Sequence, residues 1–287
     1  MMSDELKLEL PNGKTCYVTS RTMRIIAKFL RWEIFSHEQY MRAGFELRPD
    51  DTVIDVGANI GMFALWAQPQ IARGKLICVE PNPHALKCLA VNIRRNKLDN
   101  VTVVAAAVGG DDGIVQFTSF PGLEAVGHRA DMDAPWFANR SNRLGKIARM
   151  LLPLFSFERH SAATAEPIAV QQKLLARIMD DNNVTVANFL KMDCEGSECE
   201  ILRSLEPSDW RRIERAVIEF HDFGAGRNHD EITDMLCENG FEVEVMNSMQ
   251  TRICSLFGVH VRTVWAKRPA LAPSISSDGA AAAPVGA

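Results

Sequence analysis

Asp55, Gly57, Asn59 and Gly61 sit in one run, Val53-Ile-Asp-Val-Gly-Ala-Asn-Ile-Gly61, which leads into Met62-Phe-Ala-Leu-Trp66. An apolar strand that ends in an acid and turns through glycines into a helix is suited to hold a nucleoside-bearing ligand. Gly57 and Gly61 lack a Cβ and let such a ligand approach the backbone, and Asn59 tolerates the left-handed conformation of such turns. Glu80 closes the next apolar run, Val79-Glu-Pro-Asn82, where a carboxylate can accept hydrogen bonds from both ribose hydroxyls. A third apolar run, Phe189-Leu-Lys-Met192, ends in Asp193 and Glu195 before Gly196 opens a helix. Asp193 and Glu195 are therefore catalytic candidates, and Asp193 is also a cofactor candidate. Glu195 could equally cap the helix that follows.

The spacing separates two classes of nucleotide. A dinucleotide turn reads G-x-G-x-x-G and faces a pyrophosphate with its helix N-terminus. Here the turn reads G-x-N-x-G, with an acid two residues before the first glycine. Asp55 would repel a pyrophosphate, whereas it suits the ammonium and sulfonium of S-adenosylmethionine. A methyltransferase that uses this cofactor is the expected function. An NAD(P)-dependent oxidoreductase and a nucleic-acid methyltransferase are the alternatives; the first needs a pyrophosphate turn that is absent. A non-catalytic binding module fits poorly with an intact set of acids and glycines.

Methylation of an alcohol gains from a general base within hydrogen-bond reach. His221 ends Arg215-Ala-Val-Ile-Glu-Phe-His221 at the same end of the sheet as the acids, and imidazole accepts a proton near neutral pH. It is the leading candidate base; otherwise it orders the loop HDFGAGRNHD. His37 is a second candidate. Asp193, Glu195 and Asp222 could supply oxygen ligands to Mg²⁺, but their spacing does not demand it and no metal is expected.

The elements that must position these residues follow from periodicity. LKLEL and TCYVTS flank an Asn-Gly turn and predict a hairpin. Arg21–Trp32 repeats apolar residues at helical spacing, and His37–Gly44 predicts a second short helix. VIDVG, KLICVEP, VTVVAAAVG, ANFLKMD and RAVIEF predict strands buried on both faces. Helical stretches alternate with most of them, so an α/β fold with a mostly parallel, Rossmann-like sheet is expected. FEVEVMN and VRTVWAKR have no helix between them and predict an antiparallel closing pair. The division is then a hairpin and helix extension over 1–48, a main domain over 49–268 interrupted by an insertion at 121–166, and a low-complexity tail at 269–287.

With 287 residues and 47% apolar composition, the chain can bury a sizeable core. Its formal charge of −4 offers no general attraction to nucleic acid. No apolar run reaches the ~18 residues that span a bilayer, and the acidic N-terminus lacks the pattern of a secretory signal. A cytoplasmic protein without nucleic-acid or membrane partners is expected. The seven scattered cysteines form no CxxC pair, so a structural zinc site is not expected.

VIDVGANIG, VEPNP, AAAVGGDDG and LKMDCEGSE together resemble the FkbM-like methyltransferases, in order and spacing, from about Glu33 to Lys267. Lys191, Asp193, Glu195, Gly196 and Glu198 fill the family's LK-x-D-x-EG-x-E signature. His37-Glu-Gln-Tyr40 and DWRRIERAVIEFHD are similar to versions from polyketide and nonribosomal peptide pathways. The resemblance implies a class I methyltransferase fold and O-methylation of a hydroxyl on a small molecule or a carrier-bound intermediate. It places Pro81, Asn82 and Ala107 with the cofactor, and His37 and Tyr40 with the substrate. Residues 121–166 depart from it, which leaves the acceptor open. That segment is read as a cover over the acceptor, with Trp136 supplying an apolar wall. Deleting residues 270–287 should leave the melting temperature and activity nearly unchanged, since the tail has little to bury; differential scanning fluorimetry checks this.

Overall fold

The computed structural model describes residues 6–36, 40, 42–119, 128–129, 166–194, 196–222, 229–246 and 260–269. The first part of the chain forms β1 (Lys7–Glu9), β2 (Thr15–Tyr17), α1 (Arg21–Ser36), β3 (Thr52–Val56), α2 (Met62–Ala67), β4 (Lys75–Val79) and α3 (Pro83–Arg95). Next come β5 (Val101–Val104), β6 (Ala107–Val108), β7 (Gly113–Ser119), β8 (His128–Arg129), β9 (Glu166–Lys173) and α4 (Leu175–Asp181). The remainder is β10 (Phe189–Met192), α5 (Glu198–Arg203), α6 (Pro207–Trp210), β11 (Arg215–Asp222), α7 (His229–Glu238), β12 (Glu242–Met246) and β13 (His260–Lys267).

Seven strands form the main sheet in the order β12-β13-β11-β10-β3-β4-β5. Only β13 runs against its neighbours, pairing antiparallel with both β11 and β12. This is the class I methyltransferase arrangement, and the antiparallel closing pair is present as the sequence implies. The strand order reverses between β3 and β10, so a crevice opens at their carboxyl ends. Strand alternation feeds two cores. Val53, Phe189 and Val217 join the side chains of α1, α2 and the hairpin on one face. Ile54, Val56, Leu190, Met192 and Ile218 pack on the other face with those of α4 and α5.

Three expectations need correction. The run Val101–Gly109 is two strands in two sheets. Val104 O accepts both Glu80 N and Ala106 N at 3.1 Å, and the second bond turns the chain tightly at residue 105. After that turn β6 pairs with β9 in a separate four-stranded sheet, β6-β9-β7-β8. Second, the helix expected over 37–44 is absent from its described residues: Tyr40 and residues 42–44 lie in turns and coil. Gly44 has φ +87°, outside the helical region. Third, α4 went unassigned; its seven residues bury Leu175, Ile178 and Met179, too short a period to stand out.

The ends of β7 and β9 bring the insertion's two ends together, with Ser119 opposite Glu166. Within it, residues 128–129 add β8 to the edge of β7. Trp136, most of the insertion and the tail lie outside the described residues. No helix among the described residues is long and apolar enough to cross a membrane.

The hairpin is joined to the crevice by two asparagines one turn apart, Asn92 on α3 and Asn96 just past its end. Asn96 exchanges hydrogen bonds with both the N–H and the carbonyl of Thr15. Asn92 does the same with Tyr17, at 2.7 and 3.1 Å, and also donates to Ile60 O at 2.7 Å. The two amides replace a strand partner along β2. Asn92 is fully buried, so Asn92→Leu leaves three backbone groups without it, at about 1–3 kcal/mol for each one left unsatisfied. Urea unfolding should show a loss of at least about 2 kcal/mol.

Candidate active site

The turn after β3 places Gly57 at φ 80°, Asn59 at 51° and Gly61 at 87°. Gly57 N and Ala58 N both donate to Val79 O at 3.0 Å, which ties the turn to the end of β4. A Cβ on Gly57 would lie 1.8 Å from Asp193 O, and one on Gly61 would lie 2.6 Å from Leu89 Cδ1. The glycines are thus required by the protein's own packing. Gly57 lets the end of β10 cross the turn, and Gly61 lets α3 close on it. The approach of a ligand, the reason suggested by the sequence, is not what excludes a side chain here.

Glu80, at the end of β4, receives Asn59 N on Oε2 and Asn82 N on Oε1, both at 2.8 Å. Burial pushes its carboxyl up to about 7, against the pull of those two N–H groups and of Lys191. Asn82 caps α3, accepting His84 N at 3.0 Å, and its Oδ1 also accepts Ser119 Oγ at 3.1 Å. It does not line the cleft, whereas Pro81 and Ala107 do.

Asp55 is fully buried and is not among the cleft-lining residues. Its carboxylate pairs with Lys191 Nζ at 3.1 Å, and burial raises its pKa against that pairing. Lys191 also donates to Gly57 O at 3.0 Å and lies 3.6 Å from Asp193 Oδ2. Burial alone would lower its pKa, but Asp55, Asp193 and Glu219 outweigh that, so the ammonium stays charged.

Above this floor is a cavity of about 180 Å³, walled by the ends of β3, β4, β10 and β11, the β6 strand, and Phe29, Leu30, Glu33 and Ile34 of α1. Glu33, Glu80, Asp193 and Glu219 line it, and Lys191 is the one basic side chain among its described lining residues. Tyr40 lines it as well, edge-on to Phe63 with ring centroids 5.1 Å apart. Burial, then the nearby Glu219, Asp193 and Glu33, hold its hydroxyl well above the usual phenol range, so it remains a hydrogen-bond donor. The excess of acids favours a cationic ligand over a pyrophosphate.

The structure therefore brings Gly57, Asn59, Glu80, Pro81, Ala107, Asp193 and Tyr40 to one cleft. It puts Asp55 below the floor, Gly61 against α3, and Asn82 in a cap. Glu195, His37 and Trp136 lie outside the described residues. His221 occupies the end of β11, its backbone opposite Val261; its side chain is not described. Glu198 is fully buried and accepts Cys194 N at 3.2 Å and Gly196 N at 3.1 Å, which shapes the loop after β10. Sequence reasoning passed over Lys191, Glu219 and Glu33 as site residues. The first two carried a signal: Lys191 is the lone charge in β10, and Glu219 is an acid between the apolar Ile218 and Phe220 of β11. Among the described residues no group of three or more His, Cys, Asp or Glu is placed to hold a metal ion.

Residues 55–243 match the model of the methyltransferase FkbM domain. The chain is similar to the 31-O-demethyl-FK506 methyltransferase FkbM of Streptomyces tacrolimicus, 32% identical over 251 residues that cover 84% of this chain and 91% of that one. It is 28% identical over 285 residues to the AMB antimetabolite synthetase AmbE of Pseudomonas aeruginosa, covering 94% of this chain but 13% of that protein. A crystal structure of an FkbM methyltransferase from Methylobacillus flagellatus covers 79% of this chain and 46% of its own, at 15% identity and a TM-score of 0.47.

The raised Glu80 carboxyl has a signed consequence. The folded protein holds this proton up to about pH 7, whereas the unfolded chain releases it near the ordinary value of 4.5. Its contribution to stability is complete below that lower value and is lost as pH rises through about 7. Glu80→Gln should therefore gain stability relative to wild type across that window, as read from urea midpoints at several pH values.

Proposed function

The chain belongs to the FkbM methyltransferase family, and on that footing we propose that it transfers a methyl group from S-adenosylmethionine to a hydroxyl oxygen. The acceptor is a small molecule or a carrier-bound polyketide or peptide intermediate. The observation that carries this reading is the acid-lined cleft around the Glu80 carboxylate at the switch point of the sheet. Its residues fit the cofactor. Glu80 has lone pairs left for ribose hydroxyls, and Asp193, Glu33 and Glu219 suit its two positive groups. S-adenosylmethionine supplies a methyl group on a sulfonium, which is already a good leaving group.

What the protein adds is alignment and a place for a proton. The turn 57–61 and Glu80 fix the cofactor side, and Tyr40, the apolar residues of α1 and, in this reading, His37 hold the acceptor so that its oxygen faces the methyl group. His221 receives the hydroxyl proton, or Asp193 does so in its place; His221 stands two residues past Glu219, which lines the cleft. In this reading Glu195 stays a catalytic candidate, and Trp136 is a wall of the acceptor side. The named activity of the Streptomyces relative, on a 31-O position, favours oxygen as the acceptor atom. A nucleic acid is disfavoured because the acidic cleft opposes its phosphates.

Two measurements test this. Calorimetry should show S-adenosylmethionine binding that tightens as pH rises through about 7 and Glu80 loses its proton. Glu80→Ala should weaken binding by about tenfold or more, since a hydrogen bond to a charged group contributes ~1.5–3 kcal/mol. A folded variant with unchanged affinity removes Glu80 from the site. His221→Ala should lower turnover by about 10²–10⁴-fold with cofactor affinity preserved. It should also lose the acid limb of the pH–rate profile, read with labelled cofactor and a panel of hydroxylated acceptors. Near-normal turnover would pass the role to Asp193.

A further inference from the structure

The geometry points to Lys191 as a positioning residue that holds the cofactor turn and Asp193 in one fixed arrangement, an inference that rests on the S-adenosylmethionine reading above. Its ammonium reaches three separate backbone segments. It meets the Asp55 carboxylate inside β3 at 3.1 Å, the Gly57 carbonyl in the turn at 3.0 Å, and the Asp193 carboxylate just past β10 at 3.6 Å. The ammonium donates a hydrogen bond to the Gly57 carbonyl and meets the two carboxylates as ion pairs, so one charge links all three segments.

The three partners do different work. Asp55 is fully buried, and the ion pair with Lys191 is its one polar contact among the described residues. It anchors the ammonium from below and keeps it charged. The other two partners face the cleft, where Lys191 is the one described cation. With both acids ionised, Asp55, Lys191 and Asp193 together carry one net negative charge. Without Lys191 the turn loses its hold on the Gly57 carbonyl, and Asp193 loses the charge that orients it. A buried lysine is also a costly way to fill a strand, because desolvating an ion opposes folding. An apolar side chain would serve packing alone, as at Leu190 and Met192 beside it.

A purely structural lysine and a positioning lysine are separated by removing the anchor together with the lysine. Lys191→Met alone leaves Asp55 buried without a counter-ion and should lower the urea midpoint. Asp55→Asn/Lys191→Met removes both charges and should return the midpoint towards wild type. If Lys191 positions the site, this folded double variant still binds S-adenosylmethionine about tenfold or more weakly by calorimetry, the usual scale of a lost charge-assisted hydrogen bond. A double variant with wild-type affinity and turnover overturns the inference. Should the double variant fail to fold, Asp193→Asn carries the test at a half-buried position. It should reproduce the affinity loss, and unchanged affinity overturns the role of Lys191 in holding Asp193. Wild-type protein that does not bind S-adenosylmethionine overturns the cofactor reading itself, and this inference with it.

Discussion

Everything in the cleft depends on one close contact, where the backbone of the turn after β3 meets the carbonyl at the end of β10. There is no room at Gly57 for even a methyl group, because Asp193 O occupies that space. This crossing of two strand ends brings Glu80, Lys191 and Asp193 within reach of one another. It also places the reversal of strand order directly beneath the cavity. In open α/β sheets such a reversal is where a ligand can sit, because neighbouring helices leave it on opposite faces. The helix contacts at Gly61 and the hydrogen bonds to Val79 O hold the turn in that position.

The second constraint is charge. Several acids are buried around the cavity with a single described lysine, so the electrostatic cost of folding is concentrated where a ligand would bind. Glu80 responds by holding its proton more tightly, while Lys191 remains charged because acids surround it. Such displaced titrations mark functional sites when they coincide with a cavity, as they do here. A cationic ligand would relieve the surplus of negative charge, whereas a pyrophosphate would add to it.

The third feature is how elements far apart in sequence support this site. The hairpin is bound through Asn92 to Ile60 O in the turn after β3, so the N-terminal residues share a core with the sheet and brace the cleft. The helix α1 continues that bracing and supplies one cleft wall. Phe117 of β7 also lines the cavity, and the insertion departs just beyond it, between β7 and β9. The segment whose sequence departs most from the family pattern is therefore rooted beside the cleft wall.

The sequence alone determined the features that rest on local spacing. The strand–turn–helix at 53–66, the acids at three strand ends, the alternation of strands with helices and the antiparallel closing pair were all legible, because periodicity and turn chemistry are local. Glu80 and Asp193 could be placed at one crevice because a parallel sheet aligns its strand ends. Only the tertiary structure decided what each polar residue faces. Asp55 has the position of a ligand in the motif, yet it lies beneath the floor, since Lys191 from a strand 136 residues away in the Lys191–Asp55 pairing takes up its charge. Glu198, from the most specific motif, turns inward to the backbone of its own loop. Gly57 was identified correctly but for a different reason, because its conflict is with a carbonyl that no local pattern reveals. Glu33 and Glu219 joined the site only through the packing of α1 and β11. Spacing sets which residues can reach a strand end; the charges and atoms packed against that end decide which way each one points.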